Sequence, residues 1–585
     1  MKRKYVNTAI LLILLVICSG VFVRYEISQP SVRFSAKEAF QKEAFRLSMS
    51  SGLFGGQIYY TLDGSDPTLE SNIYTEPILI EEGLPLQVTV VKAAMLQGGV
   101  LGDIHTQTYF VGETVEDLFD TMVVSLSVNE QHLYNEETGI FANYLESSEE
   151  GEWDRPAYVE FYDSDGTQMM AQGTGIAVSG HGSRNYEQKS IKLISDSIYD
   201  REHPTFEYDF FETDMAGNTE SQSYNRLVLR NGGSDHAGTM LKWNVVSRLG
   251  KEAGIICAGA RPGVLFLNGE YYGIIQLQEK YTRYNVASAI GAQKDDIEKY
   301  EPNEVNSARF GGYYNRLHAD LNDPERQIRL EASVDMMDML RYYAVNVIMN
   351  NNDWPYHNFL SWKCASGSAS AYGDGKVRFF LYDLDAVYQN TEGMEIENVF
   401  DYLMEDPLAD SYDTLWILMQ SDKYRTQFVN LVCDLLNTVY DEDHVLQIIA
   451  EENQKLQNSM NLYYSEQIQE RQKAAVEKMK TAVSRSFEAT HAGLQKHLGA
   501  DMLYRLSVEA PEGYDIHFSQ IQIESGKNYK GIYYHNYPLT LVAEAVNGQE
   551  FYGWLVNGEK VSDQELLLDE RYDADELHIQ LITEP

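Results

Sequence analysis

Cysteine is almost missing from this chain, with four in 585 residues. Cys18 lies inside an N-terminal apolar run, which leaves Cys257, Cys364 and Cys433. These three show no CxxC or other metal-ligand spacing, and their odd number argues against a disulfide framework. Buried thiols are the expectation. Positive charge is scarce too: 46 Lys and Arg stand against 88 Asp and Glu, for a net charge of −42. A field of that sign repels a polyphosphate backbone, so no nucleic-acid partner is expected, while cations and basic partners are favoured.

What is present fits a folded, multidomain chain. The apolar fraction of 44% is too high for disorder, and the length suggests several domains. Aromatics reach 12%, driven by 41 tyrosines. Sugar- and peptide-binding surfaces share that bias with β-rich secreted proteins.

The chain opens on Lys2, Arg3 and Lys4, followed by an apolar run from Ala9 to Val23. This pattern is a secretory signal or a signal anchor. The run is short against the roughly 20 residues of a membrane span, yet no small-x-small cleavage site follows it. "LVIC" has Ile17 where a lipoprotein box needs a small residue. The expectation is a single-pass anchor over residues 1–28 with the basic cluster cytoplasmic and the body outside, or a secreted protein if the segment is cleaved.

Residues 30–113 read as β, with strand-like runs around the turn cluster "DGSDP". Tyr60, Thr61, Asp63, Gly64, Asp66, Pro67, Tyr74 and Pro77 give this stretch a resemblance to the small β-sandwich of the chitobiase C-terminal type. Such modules accompany extracellular enzymes, as a spacer or as a contact to cell-wall polysaccharide. Residues 502–585 form a second β module, with two Asn-Gly hairpin signals. There "FYGWLVNG" resembles bacterial repeat modules at the ends of surface proteins.

Between them, residues 115–500 read as strands first and helices second. In "SVDMMDMLRYYAVNVIMN", Ser333 is the expected cap. Met336, Met337, Leu340, Tyr343, Ala344, Val347 and Ile348 then fall at helical spacing. Further helices are expected near 413–440 and 444–495. The fold class is α+β, a two-lobed domain flanked by two all-β modules.

Four stretches could carry chemistry. In "SGHGSRNYEQKSIKLIS", Gly180, Gly182 and Ser183 make a loop before an alternating strand. Glycine lets backbone N–H groups approach phosphate oxygens. Arg184 and a strand lysine, Lys192 or Lys189, would add positive charge. In "PGVLFLNGEYYGIIQLQEK", two strands flank Asn268-Gly269 and Glu279 closes the second. In "NNNDWPYHNFL", Asp353 and Asn358 reproduce the D-x-x-x-x-N spacing of a kinase catalytic loop, where the Asp accepts the hydroxyl proton and the Asn helps hold a metal. In "KVRFFLYDLDAVY", a strand ends in Asp383, and alternation would put Asp385 on the same face. Two hard oxygen ligands suit Mg²⁺ or Mn²⁺.

These parts occur in the order a phosphoryl-transfer fold requires. "GHGSRNYEQKSIKL", "LVLRNGGSD", "LNGEYYGIIQLQEKY", "NNNDWPYHNF" and "FFLYDLD" resemble the CotH family, the spore-coat protein H kinases. The resemblance implies an atypical protein-kinase fold that uses ATP and a divalent metal to phosphorylate Ser or Thr of proteins. It implies Asp353 as catalytic base, Asn358 and Asp383 as metal ligands with Asp385 as the alternative, Lys192 on phosphate, and Glu279 at the hinge beside adenine. The glycine loop departs from the family's Gly-Asn-Ser-Ser by carrying His181, and Asn351 stands where ordinary kinases have a histidine before the base. Asp235 is a weak candidate for the lysine's acidic partner. The competing reading is a degenerate kinase fold serving adhesion or cell-wall binding.

Overall fold

The computed structural model describes residues 32–51, 55–146, 153–219, 222–300, 321, 323–355, 358–389, 398–405, 414–546 and 550–583. The N-terminal segment 1–28 and the Asn547-Gly548 hairpin signal lie outside the described residues. Among the described residues no helix is long and apolar enough to cross a membrane. Cys257, Cys364 and Cys433 are buried and form no disulfide.

Seven strands close a barrel: Met122–Ser127, Arg155–Tyr162, Gln168–Ser179, Ser190–Ile194, Arg226–Arg230, Glu270–Glu279 and Ala260–Leu267. Closure leaves no exposed strand edge. Alternation fills the barrel with Leu126, Phe161, Ile176, Leu193, Leu229 and Leu277. Asn268 and Gly269, both at positive φ, turn the expected hairpin between Ala260–Leu267 and Glu270–Glu279.

Glu270–Glu279 runs out of the barrel into the second lobe, where helices surround a three-stranded sheet of Ile297–Tyr300, Leu360–Cys364 and Val377–Phe380. The helix Met336–Ile348 is buried along most of its length. Its cap is Asp335, whose carboxylate accepts from Asp338 N, and not Ser333. The expected 413–440 helix is two, Thr414–Met419 and Asp422–Leu436. The expected 444–495 helix is three, ending in the 33-residue Glu466–Leu498. That last helix buries Val476, Met479, Val483, Ser486, Thr490 and Leu494 at helical spacing against the lobe.

Both flanking modules are fused to the two-lobed body. At the N-terminal side, the carboxylate of Glu160 on the barrel is buried and accepts three hydrogen bonds. Two come from the module's Thr108, from its N–H at 3.0 Å and from its hydroxyl, and one from Tyr162 OH at 2.6 Å. Phe110 packs edge-on against Tyr162 and Phe266. At the C-terminal side, two sheets of five and four strands dock on Asp422–Leu436. Asn437 there exchanges two hydrogen bonds with the backbone of Ile532. Asp434 accepts from Tyr533 OH and Gln520 N.

A buried carboxylate that loses its donors bears the desolvation cost of that loss. Thr108→Val is therefore expected to destabilise the protein by about 1–3 kcal/mol. Urea unfolding should show a lower midpoint at unchanged slope, and an unshifted midpoint would mean that the module is only tethered.

Candidate active site

A cavity of about 1080 Å³ opens between the barrel and the helical lobe. Gly182, Ser183, Arg184, Lys192, Glu279, Asp353, Asn358, Asp383 and Asp385 all line it. Residues spread over more than two hundred positions of sequence thus share one space. Among the described residues its wall carries six basic side chains (Arg184, Lys192, Arg230, Lys280, Arg283 and Lys299) against five acidic ones (Glu279, Glu298, Asp353, Asp383 and Asp385). In a chain of net charge −42, that near balance is a local departure from the overall acidity.

The glycine loop joins strands Gln168–Ser179 and Ser190–Ile194. Gly180 takes φ +100°, which a side chain would resist, and Gly182–Asn185 forms one tight turn. Arg184 is tied back, its Nε donating to the Gly180 carbonyl and its Nη1 to Leu145 O at 3.1 Å. It braces the loop while still lining the cavity. Lys192 is buried in its strand and faces the cavity. Lys189 instead donates to Tyr186 O at 2.6 Å and sits over the Tyr144 ring. Of the two lysines, only Lys192 lines the cavity. Asp235 does not answer for its partner. That carboxylate accepts from Thr239 N, Thr239 Oγ1, Leu241 N and Lys242 N, which anchors the start of the helix Lys242–Glu252.

Glu279 ends its strand at the turn into the second lobe. Its Oε2 accepts from Gly259 N, while its buried Oε1 has no hydrogen-bond partner among the described residues. Burial pushes this carboxyl up to about 7, with Lys251 pulling the other way. Two residues on, Tyr281 OH accepts from Ala258 N at 2.7 Å and donates to the Leu381 carbonyl. One phenol thus pins the hinge to both lobes.

The acidic pair is built differently from the expectation. The strand stops at Phe380, Asp383 adopts a left-handed conformation (φ +54°), and Leu384–Ala386 make a single turn. Strand alternation therefore does not place Asp385. Arg230 does: its Nη2 lies 2.5 Å from Asp383 Oδ1 and 3.2 Å from Asp385 Oδ2. Asp385 Oδ2 also accepts from Ser234 N at 2.6 Å, and Lys242 Nζ reaches Asp385 O at 3.3 Å. Burial holds the Asp383 carboxyl above its usual range, Arg230 pulls it down, and Asp385 and Asp353 push it up.

Asp353 is exposed on a loop whose neighbour Trp354 is sunk in the core. Trp354 Nε1 donates to Tyr342 OH at 2.7 Å. Asn358, at φ +62°, donates through Nδ2 to Asp353 Oδ2 at 2.9 Å and to Asp353 O at 3.2 Å. Its amide nitrogen therefore orients the carboxylate, which leaves the amide oxygen as the group able to serve a cation. Asn358 Oδ1 and the two carboxylates are all hard oxygen donors, the type that holds Mg²⁺ or Mn²⁺ together with phosphate oxygens. Among the described residues no group of three or more His, Cys, Asp or Glu is placed to hold a metal ion by itself.

Arg230 is the residue that sequence reasoning missed. "LVLRNGGSD" is among the resembling stretches, but its arginine carries no expected role. The signal was an arginine closing an alternating strand just before a glycine pair, where a strand-end charge needs a partner.

The family described as CotH kinase protein matches residues 176–489, more than half of the chain, and the chain belongs to it. The family described as chitobiase/beta-hexosaminidase C-terminal domain matches residues 38–101. No curated protein matches. Among solved structures, a Helicobacter pylori proinflammatory kinase, CtkA, is similar at 11% identity and a TM-score of 0.27, over 55% of this chain and 95% of that one.

The raised Glu279 carboxyl has a consequence for stability. The folded state binds this proton more tightly than the unfolded chain. Stability from this group is therefore fully present at low pH and falls as pH rises from about 4.5 to about 7. Glu279→Gln should remove that fall, so its Tm should gain on the wild type between pH 5 and pH 8. Parallel Tm profiles for the two proteins would refute the burial.

Proposed function

We propose that this chain transfers the γ-phosphoryl group of ATP to a Ser or Thr hydroxyl of a protein acceptor, on the outer side of a membrane. The observation that carries the reading is the convergence on one cavity of a glycine loop, a buried lysine, a hinge carboxyl, a D-x-x-x-x-N loop and a D-x-D turn. Family membership supports kinase-type chemistry and the use of ATP with a divalent metal.

In this mechanism the acceptor oxygen attacks the γ-phosphorus, the bond to the β-phosphate oxygen breaks, and ADP leaves. Asp353 takes the hydroxyl proton, with Asn358 fixing the carboxylate through the amide contact. Lys192 and the backbone of Gly182 and Ser183 hold phosphate oxygens. The nucleotide brings about four negative charges, and Asp383, Asp385 and Asn358 would hold the Mg²⁺ or Mn²⁺ that offsets them. Glu279 and the hinge backbone face the base. The acidic surface favours a basic acceptor segment.

The test is incubation of the soluble body with γ-labelled and, separately, α-labelled ATP and a basic Ser/Thr-containing protein. Label from the γ position alone is expected in the acceptor. Asp353→Ala should lower transfer by about 10²-fold or more while leaving nucleotide binding intact, and Asp383→Ala should weaken both. Label from the α position would mean nucleotide transfer. Equal transfer by wild type and Asp353→Ala would overturn the assignment of the base, and absence of transfer with either label would favour the binding reading.

A further inference from the structure

The Arg230 contact is more specific than a charge neutralisation. One nitrogen serves carboxylates from two residues, with Asp383 Oδ1 at 2.5 Å and Asp385 Oδ2 at 3.2 Å. The backbone is shaped around this contact. Gly233 follows at φ +58°, and a Cβ there would collide with Asp385 Oδ2 and stand 2.6 Å from Arg230 Nη2. Trp243 backs the guanidinium, its ring centre 5.3 Å from the Arg230 carbon. Meanwhile Arg230 Nε is buried and has no hydrogen-bond partner among the described residues. The fork is therefore fixed at one tip and idle at another, and it lines the same cavity as Lys192 and the glycine loop.

The oxygens that Nη2 engages are those a divalent cation would need. A metal sits about 2.0–2.1 Å from carboxylate oxygens, inside the space that Nη2 takes. Two cations cannot share that point. We propose that Arg230 is an internal counter-cation that competes with the divalent metal for Asp383 and Asp385. Once displaced, it turns its guanidinium to the nucleotide phosphates. The second half rests on the ATP reading above, whereas the competition itself does not. A guanidinium matches phosphate oxygens in bidentate fashion, and Nε and Nη2 together offer one such edge. The metal then meets a rival when it comes alone and none when phosphate is present to receive the arginine. Metal and nucleotide bind with positive coupling as a result.

Mn²⁺ titrated alone, without nucleotide, and followed by electron paramagnetic resonance of the free ion, tests the competition. Arg230→Gln removes the rival charge and is expected to bind Mn²⁺ about tenfold more tightly than wild type, within the usual span of a coupling between sites. Arg230→Lys keeps a charge at the site and should stay near the wild-type affinity, and it keeps the test open if the glutamine variant does not fold. Mn²⁺ binding that is unchanged or weaker in Arg230→Gln, or a lysine variant that binds Mn²⁺ about tenfold more tightly than wild type, would overturn the proposal. The affinity of an unreactive ATP analogue, measured by calorimetry at saturating Mn²⁺, should fall in both variants. An unchanged analogue affinity would overturn the phosphate half. If the labelled-ATP experiment shows no transfer while Mn²⁺ behaves as expected, the catalytic reading fails and the competition stands. If transfer occurs while Mn²⁺ affinity is unaltered in Arg230→Gln, the competition fails and the catalytic reading stands.

Discussion

The ion pair that Arg230 makes with Asp383 and Asp385 connects the two halves of the domain through the wall of the cavity. Arg230 ends a barrel strand, and the two aspartates belong to a turn of the helical lobe. Buried charges repay their desolvation only when geometry and further hydrogen bonds are good. Here the further bonds exist. Ser234 N and Lys242 Nζ also reach Asp385, and both belong to the segment after Arg230. The barrel thus approaches the acidic turn with a strand end, a glycine bend and a helix start at once. The Tyr281 phenol does the same on the hinge side. Cavity shape follows from these two fastenings, because they fix the distance between the lobes at both ends.

The loop carrying Asp353 needs its own anchor, since its residues are polar and partly exposed. Trp354 supplies it by packing edge-on against Tyr342 and Tyr343 while donating to the Tyr342 hydroxyl. Asn351, fully buried, ties the same loop to Asn346 of the helix Met336–Ile348. An exposed carboxylate is thereby held by buried neighbours on a rigid helix, which is what positioning a reacting group requires. The flanking modules extend this rigidity. Glu160 takes two of its three donors from one module, and Asp434 takes Tyr533 OH and Gln520 N from the other, so losing either module would leave a buried carboxyl short of donors.

What the sequence made legible was local. Alternation and Asn-Gly marked the barrel hairpin, apolar spacing marked the helix Met336–Ile348, and spacing picked out Asp353, Asn358 and the D-x-D turn. Long-range events were illegible. Arg230 meets Asp383 across 153 positions, and no periodicity encodes that. The left-handed turn at Asp383 replaced an expected strand because the carboxylates follow the arginine and not the pleat. Arg184 lines the cavity, but its bonds to the Gly180 and Leu145 carbonyls were not readable from the sequence. Helix breaks at Ser421, Leu456 and Ser465 escaped a reading that saw only continuous polarity and charge.

The contrast between an acidic chain and a cavity wall of nearly balanced charge gives these details a common direction. An acidic exterior attracts basic segments and repels polyphosphates, so an anionic ligand must be drawn in by the short-range charges of the cavity wall. Lys192 and Arg230 both stand on barrel strands, the first buried and the second half-buried. A charge held in a dry wall acts strongly at close range and is little weakened by salt. On the proposed reading, the nucleotide phosphates would gain most of their binding on this side of the cavity, beside Asp383 and Asp385. On the same proposed reading a basic acceptor segment would approach from outside, near the exposed Asp353. On that reading the loop of Asp353, which lines the cavity and is exposed, stands where an acceptor hydroxyl would have to meet phosphate.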